Sequence, residues 1–576
     1  MKTKLKLIAT INITAMMHMK TTKPISKIVL LIGLLIPFLS VAQDSNSIFT
    51  GSQEIVRDYI PKFRDAIKLD VIPVNEKVEI NKPEITYRVT SSLFPVEREL
   101  IEKLPAMRLV RPKRVKLNHY YLKGGFGNYN NIIVEGVFNT TKLRDRSLSI
   151  HALHNSGKAT VKQSNVSEQL FEIDGHKDFR KNTLSGKVFV ENNRHHQYGF
   201  DPLENVDFDT LNAEQIRQNF LDAGFHLNLT NELTKRSKIR YWTNVSFYNF
   251  RDYERLNESA ISFNGKIEQY FKENPIRFEA TVNQYFISSN PSLSRTYFDV
   301  NANYMFIRDN FVAEIGFDAP TEIDSIGSQT HFYPILKIEG RLASNFLYGF
   351  AGIKGGLQEN TYKSLAYENP FIASNFTLKN TNNKLELFAG LKGSVHEKFR
   401  YNTSFSHQTI ENLLMFINDS THSERFLTLY DSSAVNLIKL HAEIELNVIN
   451  NLQLFAAVNY YQYNKANSSF VAWHMPDVDF KFSAKYHIQH KVYFNIDYFL
   501  IGQRSTVDWN TLSVPPFGPN ILLKPINDIN VGITYKFSDK FGLFFQFNNI
   551  LNNKYSYWNN YNLRGFHFLA GAKLNL

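Results

Sequence analysis

At 576 residues the chain is too long for one ordinary soluble domain. It carries 47 Phe, 29 Tyr and no Cys, so thiolate metal sites, Cys nucleophiles and disulfides are excluded. The formal charge of +11 falls to +5 once the six lysines of residues 1–42 are set aside, which gives no case for a nucleic-acid partner.

The mean hydropathy is slightly negative, which excludes a protein built from many helical spans. It does not exclude a membrane barrel, whose strands alternate lipid-facing and lumen-facing residues and so average out as soluble.

In chain order, the first element is an export signal. Lys20, Lys23 and Lys27 precede the apolar run Ile28–Leu39, and Ser40-Val41-Ala42 follows. A dozen apolar residues are too few to span a bilayer as a helix, so residues 1–42 read as a signal peptide cleaved after Ala42.

Residues 43–114 carry mixed charge and spaced prolines at Pro61, Pro73, Pro83, Pro95, Pro105 and Pro112. Proline at that spacing interrupts helices and sheets alike. The segment reads as an extended periplasmic arm with one short helix near Gln53–Lys68 and no compact fold. It is the part through which other outer-membrane or periplasmic proteins would dock.

From Val115 to Leu576 one pattern recurs. Leu440, Ala442, Ile444, Leu446 and Val448 alternate with His441, Glu443, Glu445 and Asn447. Val492, Phe494, Ile496, Tyr498 and Leu500 alternate with Tyr493, Asn495 and Asp497 in the same way. Period two over ten or more residues, apolar outside and polar inside, suits a wide barrel in lipid. Strands in soluble sandwiches are shorter.

The strands are predicted at 115–128, 130–142, 146–157, 183–193, 219–234, 238–251, 257–272, 275–289, 295–308, 310–320 and 329–343, then at 345–358, 384–396, 399–415, 435–449, 451–463, 477–489, 491–505, 523–537, 540–553 and 563–576. That set is odd in number, yet both ends of the barrel must lie on one side. One further strand at Ser167–Gly175 repairs the parity, with a periplasmic turn from His176 to Asn182, and brings the total to about 22. Short turns at Arg308-Asp309-Asn310, Ile449-Asn450-Asn451 and Gln489-His490-Lys491 alternate with long polar loops near 193–217, 360–382, 418–433, 463–476, 506–521 and 550–562. Short connections face the periplasm and long ones face outward. The fold class is therefore an all-β, antiparallel, up-and-down transmembrane barrel in the outer membrane. It would be inserted by the barrel-assembly machinery and surrounded by lipid and lipopolysaccharide.

The closing stretch Phe545-Gln546-Phe547-Asn548-Asn549-Ile550-Leu551-Asn552-Asn553-Lys554-Tyr555, followed by Tyr557-Trp558 and Gly565, resembles the penultimate hairpin of TonB-dependent outer-membrane receptors. Tyr120-Tyr121-Leu122-Lys123-Gly124-Gly125-Phe126-Gly127 resembles the first barrel strand of receptor-like barrels common in Bacteroidetes. The resemblance spans 115–576 and implies transport of a nutrient or other ligand. That family also has a plug of well over a hundred residues, and the 43–114 arm is too short to be one. A barrel subunit scaffolding an outer-membrane assembly, secretion or uptake complex is therefore the alternative, and a passive porin the second.

No catalytic or cofactor motif is present: there is no His-Glu-x-x-His and no Gly-x-Ser-x-Gly. The chain reads as a non-enzyme without cofactor or metal. His195-His196 reads as a solvated loop pair. Glu314, Glu443, Glu445 and Asp497 read as scattered lumen carboxylates, and the glycines at 124, 125 and 127 as sites of close packing or curvature. The aromatic set Tyr555, Tyr557, Trp558 and Tyr561 has two readings, an interfacial girdle or a stacking surface for a ligand, and the girdle is favoured.

Overall fold

The computed structural model describes residues 118–576 except 141–144, 205, 209, 232–238, 290, 326, 344–345, 397, 465–470 and 509–519. The expected signal peptide with cleavage after Ala42, and the expected arm with a helix near Gln53–Lys68, lie outside the described residues.

Twenty-two antiparallel strands close into one barrel. Each strand pairs with its neighbours in sequence, and Tyr120–Gly127 closes the ring against His567–Asn575, with Gly124 opposite Ala572. The seam is packed with small residues. A Cβ on Gly571 would collide with the Gly124 carbonyl, so the strands meet only because no side chain stands there.

The strand required by parity is present as Asn165–Asp178, hydrogen-bonded to Arg146–Lys158 and Asn182–His196. Its end turns on the short-connection side, where the Phe179 N–H donates to the Asn182 carbonyl at 2.7 Å. Tight turns recur where both central residues take positive φ. Examples are Tyr129 (55°) and Asn130 (51°) in one, and Gln489 (48°) and His490 (55°) in another, the geometry whose twist matches a hairpin.

The alternation resolves as predicted. Leu440, Ile444 and Val448 are 46%, 40% and 47% exposed on the outer wall, where hydrocarbon would cover them. On the same strand Glu445 faces inward to Arg400 at 3.3 Å. The lumen is lined with paired charges. Lys123, Glu135, His151, Glu172 and Lys187 form one chain of contacts over five consecutive strands.

Three predicted strands run on past the wall. The stretch 399–415 is two elements, Phe399–Glu411 in the barrel and Leu413–Asn418 in a separate hairpin with Phe426–Asp431. The bend is at Asn412, with φ of 52°. All six residues of Leu413–Asn418 are buried, and an apolar run covered on both faces carries the same sequence signal as a continuing wall strand. Likewise 491–505 divides into Val492–Ile501 and a piece, Arg504–Val507, that pairs with Asn520–Leu523. The strand 310–320 ends at Asp318 because Pro320 has no N–H for the ladder, and pairing resumes at Thr321–Ile323.

Candidate functional site

The long connections converge at the outer end of the barrel into a cap with its own apolar core. Tyr198, Phe250, Tyr362, Phe426, Trp558 and Tyr561 belong to one buried cluster drawn from wall-strand ends and outer connections.

The centre of the cap is the connection between Leu347–Gln358 and Thr381–Val395, which carries the helix Tyr362–Glu368. Thr361 caps it: its side chain accepts from the Ser364 N–H at 3.0 Å, and the Ser364 hydroxyl lies 2.9 Å from the Thr361 N–H. Seven residues are too few for an autonomous helix, so tertiary contacts hold it.

Those contacts come from a single row of register partners on other strands. Glu191, Asp222, Phe250, Glu258 and Ile287 are opposite one another across five strands. Phe250, Glu258 and Ile287 are 1%, 0% and 3% exposed beneath the helix. The Glu258 carboxylate accepts from the Tyr362 N–H at 2.7 Å, the Lys363 N–H at 3.3 Å and the Tyr248 hydroxyl at 2.7 Å. An anion there meets the first free N–H groups of a helix, its positive end. Lys363 pairs with Asp222 at 2.6 Å, and its ammonium lies 4.1 Å from the Tyr248 ring centroid.

The Tyr362 hydroxyl donates to Asp252 at 2.7 Å, as does Ser374. Burial raises the Asp252 carboxyl above its ordinary range, and both hydroxyls and the Leu256 N–H oppose that rise. The neck of the loop is clamped by Arg295, which donates to the Asn360 carbonyl at 2.8 Å and to Asn380 Oδ1 at 2.7 Å. The loop therefore crosses from its own strands to the facing wall and is latched by polar groups at both ends.

The second layer comes from the loop joining Phe541–Asn548 to His567–Asn575. Tyr561 stacks on Phe371 and donates to the Glu424 carbonyl at 2.5 Å. Trp558 packs edge-on to Phe416 with ring centroids 5.2 Å apart. Tyr555 donates to Asp528 at 2.6 Å. Of the four aromatics singled out in the sequence, Tyr555, Trp558 and Tyr561 are buried, and Trp558 and Tyr561 belong to the core of the cap. Tyr557 is the exposed one, at 44%. Arg504 is buried and donates to the carbonyls of Ser556, Tyr557 and Lys524, tying two loops together without a carboxylate.

His195 and His196 end the strand Asn182–His196 rather than sitting in a loop. His195 faces the rings of Phe220 and Phe371, and His196 Nδ1 is 2.6 Å from the Asn165 carbonyl. The lumen carboxylates stay apart on the wall. Glu443 accepts from Asn402, Glu445 from Gln453 and Asp497 from Ser483, while Glu314 is opposite Lys337. Sequence reasoning missed Asp222, Asp252, Glu258 and Arg295. The Thr-x-x-Ser at 361–364 was the one local signal for the helix they hold.

No family model and no curated protein matches the sequence. Solved structures do match. The FrpB iron transporter from Neisseria meningitidis (F3-3 variant) aligns with a TM-score of 0.63 at 10% identity over 80% of this chain and 82% of its own. A mutant of the ferric enterobactin receptor from Pseudomonas aeruginosa gives 0.61 at 11% identity over 81% of each chain. The pyoverdine outer membrane receptor FpvA of the same organism gives 0.61 at 9% identity over 81% and 80%. At such identities the likeness is one of fold. The chain is a 22-strand antiparallel β-barrel with the fold of these transporters and receptors.

Proposed function

We propose that the protein is a receptor-like transport barrel that takes a nutrient or other ligand across the outer membrane. The observation that carries this reading is the cap. A barrel of receptor size has its outer end covered by its own loops, one of them latched across to the facing wall through Glu258, Asp222 and Asp252. A passive porin needs a standing aqueous path, and the packed core of Tyr362, Phe426, Trp558 and Tyr561 argues against one. The solved neighbours include an iron transporter and a ferric enterobactin receptor, which supports uptake as the activity class. The proposed form is of the Bacteroidetes type, on the likeness of Tyr120–Gly127 to the first strand of such barrels.

The test is a clean deletion scored on a panel of nutrients, with a pull-down of TonB by the 43–114 arm. Loss of uptake of one nutrient supports the reading. Unchanged uptake across the panel together with no TonB binding removes it. The proline spacing of residues 43–114 also favours a second reading, a barrel that scaffolds an outer-membrane complex. Purification in mild detergent separates the two: a stable complex supports the scaffold, and a lone monomer counts against it.

A further inference from the structure

The first outer connection is only the turn Asn128–Asn131, while its neighbours on both sides are longer. A cavity of about 360 Å³ lies between the ends of the two flanking loops, at 159–164 and 549–566. Arg564, His195, His196, His567, Tyr198 and Phe371 line it. We propose that this cavity binds a small organic anion, with Arg564 taking the carboxylate and the rings of Phe371, Tyr198 and His195 taking the apolar body.

The charge balance carries the argument. Four other arginines of the cap are matched: Arg295 by Asn360 and Asn380, Arg425 by Glu254, Arg217 by Glu214, and Arg504 by three carbonyls. Arg564 is half-buried, and among the described residues no carboxylate pairs with it and no acceptor holds its guanidinium. No Asp or Glu lines the cavity. A desolvated guanidinium without a counter-charge is unfavourable, and an incoming carboxylate supplies both the charge and two acceptors.

The site is also built around that guanidinium. A Cβ on Gly157 would collide with it, so the glycine keeps its space open. Asn549 Nδ2 donates to the Arg564 carbonyl at 2.8 Å and fixes its backbone. His196 and His567 each place Nδ1 on a backbone carbonyl, of Asn165 at 2.6 Å and Gly565 at 3.0 Å, which puts the proton of the neutral ring on Nδ1 and holds both rings in place. Tyr198 is pinned through its hydroxyl to the Asn562 carbonyl at 3.1 Å. Phe371 meets His195 and Tyr198 edge-on at 6.3 and 6.4 Å; Tyr561 covers one face of Phe371, and the three rings together give the cavity an apolar wall. The volume equals about a dozen waters of liquid, enough for an acid the size of benzoate.

The test uses the full-length protein in detergent and fluorine NMR, with 4-fluorobenzoate as the anionic probe and 4-fluorobenzyl alcohol as its neutral counterpart. Saturable broadening of the acid is expected, with affinity about tenfold or more above the alcohol. Arg564→Gln is expected to remove that difference and leave the alcohol unchanged, while heat-modifiable migration on gels reports an intact barrel. Equal binding of acid and alcohol overturns the proposal, as does an intact R564Q barrel that binds the acid like the parent. If R564Q does not fold, the acid-against-alcohol comparison on the parent protein decides alone. Inorganic phosphate that displaces the acid at equal concentration overturns the role of the rings. Because binding is read on purified protein, its failure leaves the transport reading standing.

Discussion

Phe371 and Tyr561 stack nearly parallel, with their ring centroids 3.5 Å apart and their planes 17° from parallel. One ring comes from the helix-bearing loop and the other from the last outer connection, so this contact joins two separate connections of the rim. Tyr561 is 1% exposed.

Tyr561→Ala removes a buried ring from the centre of the cap and is expected to cost it about 3–5 kcal/mol. The barrel wall does not depend on that ring. Protease nicking of the outer loops on whole cells should rise while heat-modifiable migration of the barrel stays unchanged. Equal nicking in variant and parent would show that the stack does not hold the cap.

The Lys363–Asp222 pair is the charged part of the latch, with side chains 23% and 3% exposed. Lys363→Met alone leaves Asp222 buried beside Glu191, its register partner, and is expected to loosen the loop by about 3–5 kcal/mol. The double variant with Asp222→Asn removes the stranded charge and should recover much of that loss. A double-mutant cycle on loop protection measures it, and additive single effects would mean that the pair is not coupled.

His474 makes the cap sensitive to acid. Its Nδ1 is 2.9 Å from the Phe416 carbonyl, Nε2 is buried with no partner, and Phe426, Trp558 and Arg504 surround it. Burial first, and the nearby Arg504 second, pull its pKa down to about 4, against the Phe416 hydrogen bond. A base with a lowered folded pKa binds fewer protons folded than unfolded, so its contribution is present above 6.5 and is lost as pH falls toward 4, by roughly 3 kcal/mol in all. Asp252 and Glu359 are raised by burial and act with the opposite sign, losing stability as pH climbs above the ordinary carboxylate range. Subtracting His474→Gln from the parent isolates the histidine. The difference in loop protection should shrink between pH 6.5 and 4, and a flat difference would reject this assignment.

Removal of residues 361–378, with the neck at Asn360 and Asn380 rejoined by a short glycine-serine link, takes the helix off its row of partners. The parent barrel is expected to be nearly silent in planar bilayers, and the deletion to conduct steadily. A deletion as silent as the parent would place the main barrier elsewhere.

The wall was legible because it repeats. Alternation located the strands, and the parity of a closed sheet exposed Asn165–Asp178, where pattern alone had not. The cap does not repeat. Glu258 sits in an ordinary alternating strand, and nothing local shows that its carboxylate will receive the N–H groups of Tyr362 and Lys363 from a loop a hundred residues further on. Leu413–Asn418 is apolar on both faces and looked like wall until the φ of Asn412 turned it into the cap. The aromatics at 555–561 were visible as a cluster, but whether such rings meet lipid or each other depends on how far the loop folds inward, and no residue spacing records that.

The seam sets the order of events during biogenesis. Tyr121 bonds to a strand that begins at His567, so the ring cannot be sealed until nearly the whole chain has been delivered. Contacts so distant in sequence form slowly, and until they do the edge at Tyr120–Gly127 presents unsatisfied amides to anything nearby. The interval before closure is when this protein most needs a guardian. A lesion among the small residues of that junction, such as Gly571, should reveal itself as chains lost to periplasmic proteolysis before any finished barrel is weakened.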